Sequence, residues 1–526
     1  MPRQKVWLFA CLNVVILSLL SVWLWFQNQP IQIIKPSQID TQKLQCASYA
    51  PYYTKGVSPF IKGTHISQAQ IDHDLALLAE RFDCVRTYSV GQGLDYVPAA
   101  ASKVGMEVLL GVWIGWTDAE NDRELRLGLK LANQYPEVIR ALIVGNEVLL
   151  RQEQTPAKMQ AYLKRAKDST DVPITYADVW EFWLKNRSLE NSVDYITAHI
   201  LPYWEDEPQS IDAAIPHANA AMGLLDEAFS KPIFIGETGW PSVGRHRNAS
   251  APSQVNQARY IREFLQIAHD KQWNYNLIEA FDQPWKRVLE GTVGGHWGIY
   301  DSELKPKFSL TEAVAERNDG WLLWLFTAAG MIVFGLLALL QQSTHAYLSN
   351  PKRLIVLLPL GATAGLMAYL QLGYLVAASR DIYEWLALGG LALAGWISVF
   401  ALPSIVISEN ANAKKCASIS IWILGIGAFI CSALLITDGR YRDFPISLFL
   451  LPCLQLGLVL KIIGMHISQL SMDYVKLVAA LVIGNIILLV IEPLNTDAWA
   501  WFALSLLLLA TGNHQIKPFV SKNKNT

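Results

Sequence analysis

Charge is spread so unevenly along this chain that no single fold class can hold all of it. From Gly320 to Ile516 there are seventeen Asp, Glu, Lys and Arg in 197 residues, and the other 71 sit in the remaining 329. Seven apolar stretches fall in the sparse part, at about 321–340, 354–378, 382–402, 416–436, 445–463, 474–491 and 498–511. An eighth, residues 6–26, carries no charge. About 20 apolar residues cross a bilayer core as a helix. The pattern predicts an N-terminal anchor over 1–26, an all-α transmembrane bundle of seven helices over 320–512, and a tail over 513–526. Charged residues make up 17% of the chain, against roughly 25% in soluble proteins, which argues against a wholly soluble protein. A cleaved signal peptide is the rival reading of the first stretch. Its apolar part would be shorter and end in small residues, whereas this one ends Trp-Leu-Trp-Phe-Gln-Asn-Gln-Pro.

Threading alternate sides from a cytoplasmic Met1 gives a charge test. Cytoplasmic ends would carry Arg3, Lys5, Lys352, Arg353, Lys414, Lys415, Lys461, Lys476, Lys517, Lys522 and Lys524; short outside loops would carry only Arg380, Arg440 and Arg442. The bias favours eight spans with both termini inside and residues 27–320 outside the cytoplasm. A helical bundle points to the plasma (inner) membrane, because bacterial outer membranes use barrels. The net charge of −2 leaves no global field for nucleic acid. Six scattered cysteines make neither a disulfide scaffold nor a zinc module.

Residues 27–43 read as a polar linker, and 44–318 show a strand-then-helix rhythm. Candidate strands are 44–50, 84–90, 106–114, 138–144, 173–177, 193–200, 232–235 and 275–281, mostly short continuous apolar runs. Helix starts stand between several of them. Ser67-Gln-Ala-Gln70 is a capping-box pattern, Thr155-Pro156 a cap with proline at the first helical position, and Ser253 a further cap. Eight βα units in this length predict an α/β fold, a (β/α)8 TIM barrel. A doubly wound sheet is the structural alternative, but no G-x-G-x-x-G or G-x-x-x-x-G-K-[ST] motif marks a nucleotide site. No cofactor is implied. Cys46 and Cys84 fall on adjacent strands, where disulfide geometry is uncommon, so buried free thiols are the favoured expectation.

Barrel sites lie at the C-terminal strand ends. Those ends carry Tyr49, Tyr88, Asn146-Glu147, Asp178, His199, Tyr203-Trp204, Glu237 with Trp240, and Glu279 with Gln283 and Lys286. Glu147 and Glu237 each follow a buried strand directly, on strands four and seven, which face each other across the mouth. Two opposed carboxylates in a cleft are what glycosidic bond cleavage needs. Tryptophans near the strand ends suit the apolar faces of sugar rings. A lone Glu after a strand is more often a cap or an ion-pair partner, and Glu147 has Arg151 four residues on. His199 reads as a hydrogen-bonded support, and no metal-ligand spacing is present.

These strand ends resemble glycoside hydrolase family 17, the β-1,3-glucanase family of a large (β/α)8 retaining clan. The resemblance rests on Val-Gly-Asn-Glu-Val over 144–148, Ile-Gly-Glu-Thr-Gly-Trp-Pro-Ser over 235–242, Phe-Asp-Gln-Pro-Trp-Lys over 281–286 and Trp-Gly-Ile-Tyr over 297–300. It covers about half the chain and looks closest to the bacterial, membrane-linked branch associated with β-glucan synthesis and remodelling. It implies Glu147 as acid/base, Glu237 as nucleophile, Asn146 on the 2-hydroxyl of the cleaved sugar, and Tyr203 beside the nucleophile. His199, Trp240, Glu279 and Lys286 would line the cleft. Gln283 stands where the plant enzymes carry a glutamate. The implied activity is endo-β-1,3-glucanase, with transglucosylation as the alternative and a glucan sensor as a second one. The implied partners are β-glucan, the lipid bilayer and, if glucan is made nearby, a separate synthase chain. Retention requires carboxyl groups about 5–5.5 Å apart. It also requires a protonated Glu147, so burial and the Glu237 charge are expected to raise its pKa.

Overall fold

In the computed structural model, which describes residues 3–37, 43–340, 350–465, 467 and 472–511, the chain separates into two units. One is Gln29–Glu316; the other joins Met1–Asn28 to Arg317–Thr526. The expected tail over 513–526, with Lys517, Lys522 and Lys524, lies outside the described residues, as do 38–42 of the expected linker.

The first unit is a closed eight-stranded barrel. Its strands are β1 Leu44–Ser48, β2 Phe82–Arg86, β3 Glu107–Val112, β4 Ile139–Asn146, β5 Ile174–Val179, β6 Ile196–His199, β7 Ile233–Thr238 and β8 Asn274–Leu277. Every neighbour pairs in parallel and β8 closes on β1. All eight lie where the apolar runs place them, give or take two residues at most ends. A strand covered on both faces has no polar face to alternate with, so its run is continuous. With the residue ranges that follow, α1 being Arg3–Gln27, the barrel helices are α2 Gln68–Ala79, α3 Val97–Val104, α4 Asp118–Gln134, α5 Pro156–Lys167, α6 Trp180–Lys185, α7 Ile211–Ala228, α8 Gln254–Lys271 and α9 Arg287–Glu290.

The helix starts are capped by the residues that announce them. Ser67, Thr155 and Ser253 each accept from the backbone N–H three residues on. The capping box is only half made, because Gln70 donates its amide to the Pro51 carbonyl instead. Residues 29–37 are not a free linker: Ile31 and Val314 exchange both backbone hydrogen bonds, and the Ile33 carbonyl accepts from Arg262. The barrel interior is filled by a small cluster that includes Leu109, Ile143, Ala177 and Phe234. Cys46 and Cys84 belong to it and form a disulfide, which corrects the expectation of free thiols. Parallel register sets them directly opposite each other, and the Cα atoms stand 4.5 Å apart, at the near edge of what a bridge can span.

The second unit is helical. It holds α1, α10 Leu322–Leu340, α11 Asn350–Ala378, α12 Ile382–Ser408, α13 Ala411–Thr437 and α14 Ile446–Cys453. A π-helical segment, Leu454–Val459, continues α14 into α15 Leu460–Ile462, and α16 Met472–Ile491 and α17 Thr496–Ala510 follow. Among the described residues, six helices are long and apolar enough to cross a membrane: α1, α10, α11, α12, α13 and α16. The last helix, α17, has 15 residues, a rise of about 22 Å against a hydrocarbon core of about 30 Å; Ile446–Ile462 is the other shorter apolar helix. Large apolar side chains such as Leu19, Trp324, Leu386 and Val490 face outward. Inside, polar groups pair across helices. Asn485 accepts from Ser432 at 2.7 Å and donates to Ser505 at 3.0 Å, and Gln455 donates to Asn13 at 2.8 Å. Asp319 is a buried hub: it bonds the Asn28 side chain at both its backbone and its carboxylate, and it accepts from Arg317 and from Tyr369 of α11.

Candidate active site

Glu147 follows β4 directly, with φ +51, and its N–H donates to the Ala177 carbonyl of β5 at 2.7 Å. Left-handed backbone at a residue other than glycine is uncommon and needs support from its surroundings. Glu237 lies within β7 and is 5% exposed. Between them stands His199, the last residue of β6. Its Nδ1 is 3.0 Å from Glu147 Oε1 and its Nε2 is 3.7 Å from Glu237 Oε1. Gly236 makes room for the ring, since a Cβ there would meet His199 Cδ2 at 2.9 Å.

Arg86, at the end of β2, is the centre of this arrangement. Its Nη1 donates to Glu237 Oε1 at 2.9 Å and to the Gly236 carbonyl at 2.7 Å, and its Nη2 donates to Asn146 Oδ1. Nη1 also lies 3.4 Å from His199 Nε2. Arginine has no acceptor. Because Asn146 Oδ1 is taken by Arg86, its NH2 group is the part left for a ligand. Tyr88 completes the set: its hydroxyl donates to Glu237 Oε1 at 2.8 Å and lies 2.8 Å from Ser48 Oγ, which accepts from Asn276. Burial, with the Glu237 charge adding, holds the Tyr88 phenol well above its ordinary pKa and so keeps it a donor.

The protonation of Glu147 differs from the expectation. Burial pushes the carboxyl up, but the His199 hydrogen bond and the charges of His199, Arg151 and Arg86 outweigh it, leaving the pKa below the ordinary value. The sequence argument counted the Glu237 charge without the guanidinium that lies against it. Arg151 Nη1 is 3.6 Å from Glu147 Oε2, so the ion pair read from the four-residue spacing is present as well.

The remaining candidates form a second ring. The Glu279 carboxylate pairs with Lys286 Nζ at 2.9 Å. Burial raises Glu279 to about 7 against the opposing Lys286 charge. Burial alone would lower Lys286, but Glu279, Glu290 and Glu237 together push it up, so it stays a cation. Tyr203 and Trp204 stack at 5.9 Å, with Trp240 and Trp297 edge-on to Tyr203. The hydroxyl of Tyr203 donates to the Arg245 carbonyl, so the phenol that reaches Glu237 is that of Tyr88. Two candidates turn elsewhere. Tyr49 donates to Asp74 of α2. The buried amide of Gln283 donates to the Ala50 and Phe281 carbonyls and accepts from Trp285. A carboxylate there could not make the first two bonds.

Asp178 is fully buried, accepts from Tyr176 and from the Val179 N–H, and titrates at about 6, above an ordinary 3.8, chiefly through burial. The folded form thus keeps its proton to higher pH than the unfolded chain does. This contribution to stability is full below pH 3.8 and is lost as pH rises through 6, at a slope of about 1.4 kcal/mol per pH unit. We expect the thermal midpoint to fall between pH 4 and pH 6, and Asp178→Asn to flatten part of that fall; a parallel fall in both proteins would count against it.

Sequence reasoning missed Arg86 and Glu290 as site residues. Arg86 closes β2 two residues before Tyr88, a strand-end position that could have marked it. Glu290 ends α9, one turn after Lys286, and burial together with the Glu147 and Glu237 charges raises its pKa while Lys286 opposes. Among the described residues, Glu147, His199 and Glu237 are also the group whose atoms converge enough to hold a metal, lying within 4.8 Å of one another. The Arg86 guanidinium already sits on the Glu237 oxygen a metal would take. The trio is tied together by hydrogen bonds and ion pairs.

Comparison with known proteins supports a glycosidase-type barrel. Residues 46–298 match the family described as the BtgE/BtgC glycoside hydrolase domain. A glucan 1,3-beta-glucosidase of Candida albicans is 26% identical over 283 residues, 47% of this chain and 88% of its own. One from Arthroderma benhamiae is 28% identical over 275 residues, 48% and 87%. A probable glucan endo-1,3-beta-glucosidase, btgC, of Aspergillus fumigatus is 26% identical over 282 residues, 47% and 40%. A solved glycoside hydrolase family 17 beta-1,3-glucanosyltransferase from Rhizomucor miehei is 24% identical, covers 51% of this chain and 97% of its own, and superposes with a TM-score of 0.45. The relatives are glycoside-hydrolase-type enzymes. The matches cover the barrel half of the chain.

Proposed function

We propose that the barrel is a retaining β-glucan hydrolase, acting as an endo-β-1,3-glucanase by two-glutamate double displacement. One observation carries this: Glu147, just after β4, and Glu237, in β7, present oxygens within 4.8 Å of each other, on the retaining side of the 6.5–9.5 Å that inverting enzymes need. Glu237 attacks the anomeric carbon while Glu147 gives its proton to the departing oxygen. A glycosyl ester to Glu237 forms and the shortened glucan leaves. Glu147 then takes a proton from water, and the resulting oxygen nucleophile displaces Glu237. Tyr88 and Arg86 hold Glu237 by its Oε1. Glycan covering the exposed edge of Glu147 adds to burial, the effect that favours its acid form. The β-1,3 linkage rests on the names of the relatives and on the family resemblance.

The long apolar helices support a multi-pass membrane protein, and the bias of basic residues supports an inner-membrane topology with the barrel outside the cytoplasm, in the membrane-linked bacterial branch of the family. Lipid bilayer and β-glucan are then its surroundings, and a separate synthase chain is the source of nascent glucan. Transfer to a glucan hydroxyl uses the same glycosyl ester, and tethering beside nascent glucan would raise the local acceptor concentration.

The detergent-solubilised protein, incubated with a reduced β-1,3-gluco-oligosaccharide of defined length, separates these readings by mass spectrometry. Only shorter products mean hydrolysis. Products longer than the substrate mean transglucosylation. Binding without turnover would overturn the enzymatic proposal in favour of a sensor. The role of His199 has its own test. Without the imidazole, Glu147 loses the hydrogen bond that lowers it. His199→Ala should move the alkaline limb of the kcat/KM profile to higher pH; an unmoved limb would remove His199 from control of the acid.

A further inference from the structure

A groove of about 350 Å³ runs between α11, α12 and α13, wholly within the helical unit. Its walls include Leu388, Leu391 and Leu435, and its open side passes Ile423, Ile426 and Ile430, which are exposed. At one end the lining turns ionic, with Arg380, Glu384, Arg442 and Asp443. Arg380 and Arg442 both bond the Glu384 carboxylate, and Arg442 also donates to Asp438 at 2.9 Å. Two guanidiniums carry roughly ten N–H donors, against about eight acceptor sites on the Glu384 and Asp438 carboxylates they already bond. The rim therefore suits an added oxygen-rich anion such as a phosphate. Its own carboxylates disfavour a ligand that is anionic overall, and suit one that brings an ammonium with its phosphate.

We propose that this groove binds one zwitterionic glycerophospholipid of the phosphatidylethanolamine type, its phosphate on Arg380 and Arg442 and an acyl chain along α12 and α13. The proposal rests on the membrane reading above, and on two features of the groove: an apolar floor open to the surroundings of spanning helices, and a rim of both signs. Two arginines at a lipid headgroup contribute enough to make their loss measurable.

The test is native mass spectrometry of the full chain released from micelles, titrated with phosphatidylethanolamine, phosphatidylglycerol or a polyisoprenyl phosphate. Arg380→Ala with Arg442→Ala weakens the rim. Ile426→Trp fills the groove from its exposed side and guards against a folding defect in the first variant. The expected result is one phosphatidylethanolamine per wild-type chain, with apparent affinity reduced about tenfold or more in each variant. Equal retention in wild type and variants, or preference for phosphatidylglycerol or the polyisoprenyl phosphate, would overturn the proposal. Alkaline carbonate washing of membranes keeps the two readings apart. Release of the chain would sink the membrane reading; a chain that stays in the membrane but carries no lipid would sink this site alone.

Discussion

Glu237→Ala is expected to lower turnover of a β-1,3-gluco-oligosaccharide by on the order of 10⁴-fold or more, the scale seen when a covalent nucleophile is removed. Substrate affinity should change far less, because Arg86, Asn146, His199 and the Tyr203–Trp204 stack stay in place. Added azide makes the assignment specific. In the Glu237→Ala protein, azide enters from the face the carboxylate occupied and gives a glycosyl azide of inverted configuration. In Glu147→Ala, the glycosyl ester to Glu237 still forms from a substrate with a good leaving group, and azide then gives a product of retained configuration. The same configuration from both variants would refute the division of roles. Substantial residual turnover by Glu237→Ala without azide would refute the mechanism.

The second large effect is expected at Arg86, which donates to Glu237, Asn146 and the Gly236 carbonyl and is 1% exposed. Arg86→Met keeps most of the volume and removes every one of these bonds. It leaves Glu237 as a buried carboxylate without its counter-charge, a change that costs about 3–5 kcal/mol. Removing one preorganised donor from an active site typically lowers kcat by 10²–10³; Arg86 serves several acceptors, so a loss of about 10³-fold is expected. Arg86→Lys separates the two effects. It keeps the charge but not the planar fork, so it should retain most of the thermal stability while activity stays at least about tenfold down. A lysine variant with wild-type activity would mean that charge alone is needed and the geometry described here is incidental.

How much of this was legible in the sequence follows from what kind of signal each feature leaves. The strands were legible because burial on both faces writes continuous apolar runs, and the two glutamates because each ends such a run. Arg86 left no comparable signal. It stands 151 positions from Glu237, and only barrel closure makes the ends of β2, β4, β6 and β7 converge. The expected upward shift of Glu147 failed in part for the same reason: Arg151 stands four residues on in the sequence, but His199 and Arg86, which act with it, come from β6 and β2. The Cys46–Cys84 bridge was disfavoured by a rule about neighbouring strands, but the register that pairs them is a property of the closed sheet. Tyr49 and Gln283 follow strands as the other candidates do, but their side chains turn elsewhere. Their partners, Asp74 on α2 and the Ala50 carbonyl, are set by packing.

The hub at Asp319 has an engineering consequence. The barrel is an insertion: its chain enters just after Asn28 and leaves just before Arg317, and Asn28 and Asp319 are hydrogen-bonded partners. Inside the barrel unit, Ile31 and Val314 bond each other too. Within each unit, then, the two ends of the chain lie beside each other. Domains whose ends lie close together are the ones that tolerate insertion. The helical unit is in that sense a socket, into which another catalytic or binding domain with adjacent termini could be spliced between residues 28 and 317 without opening a gap in the host.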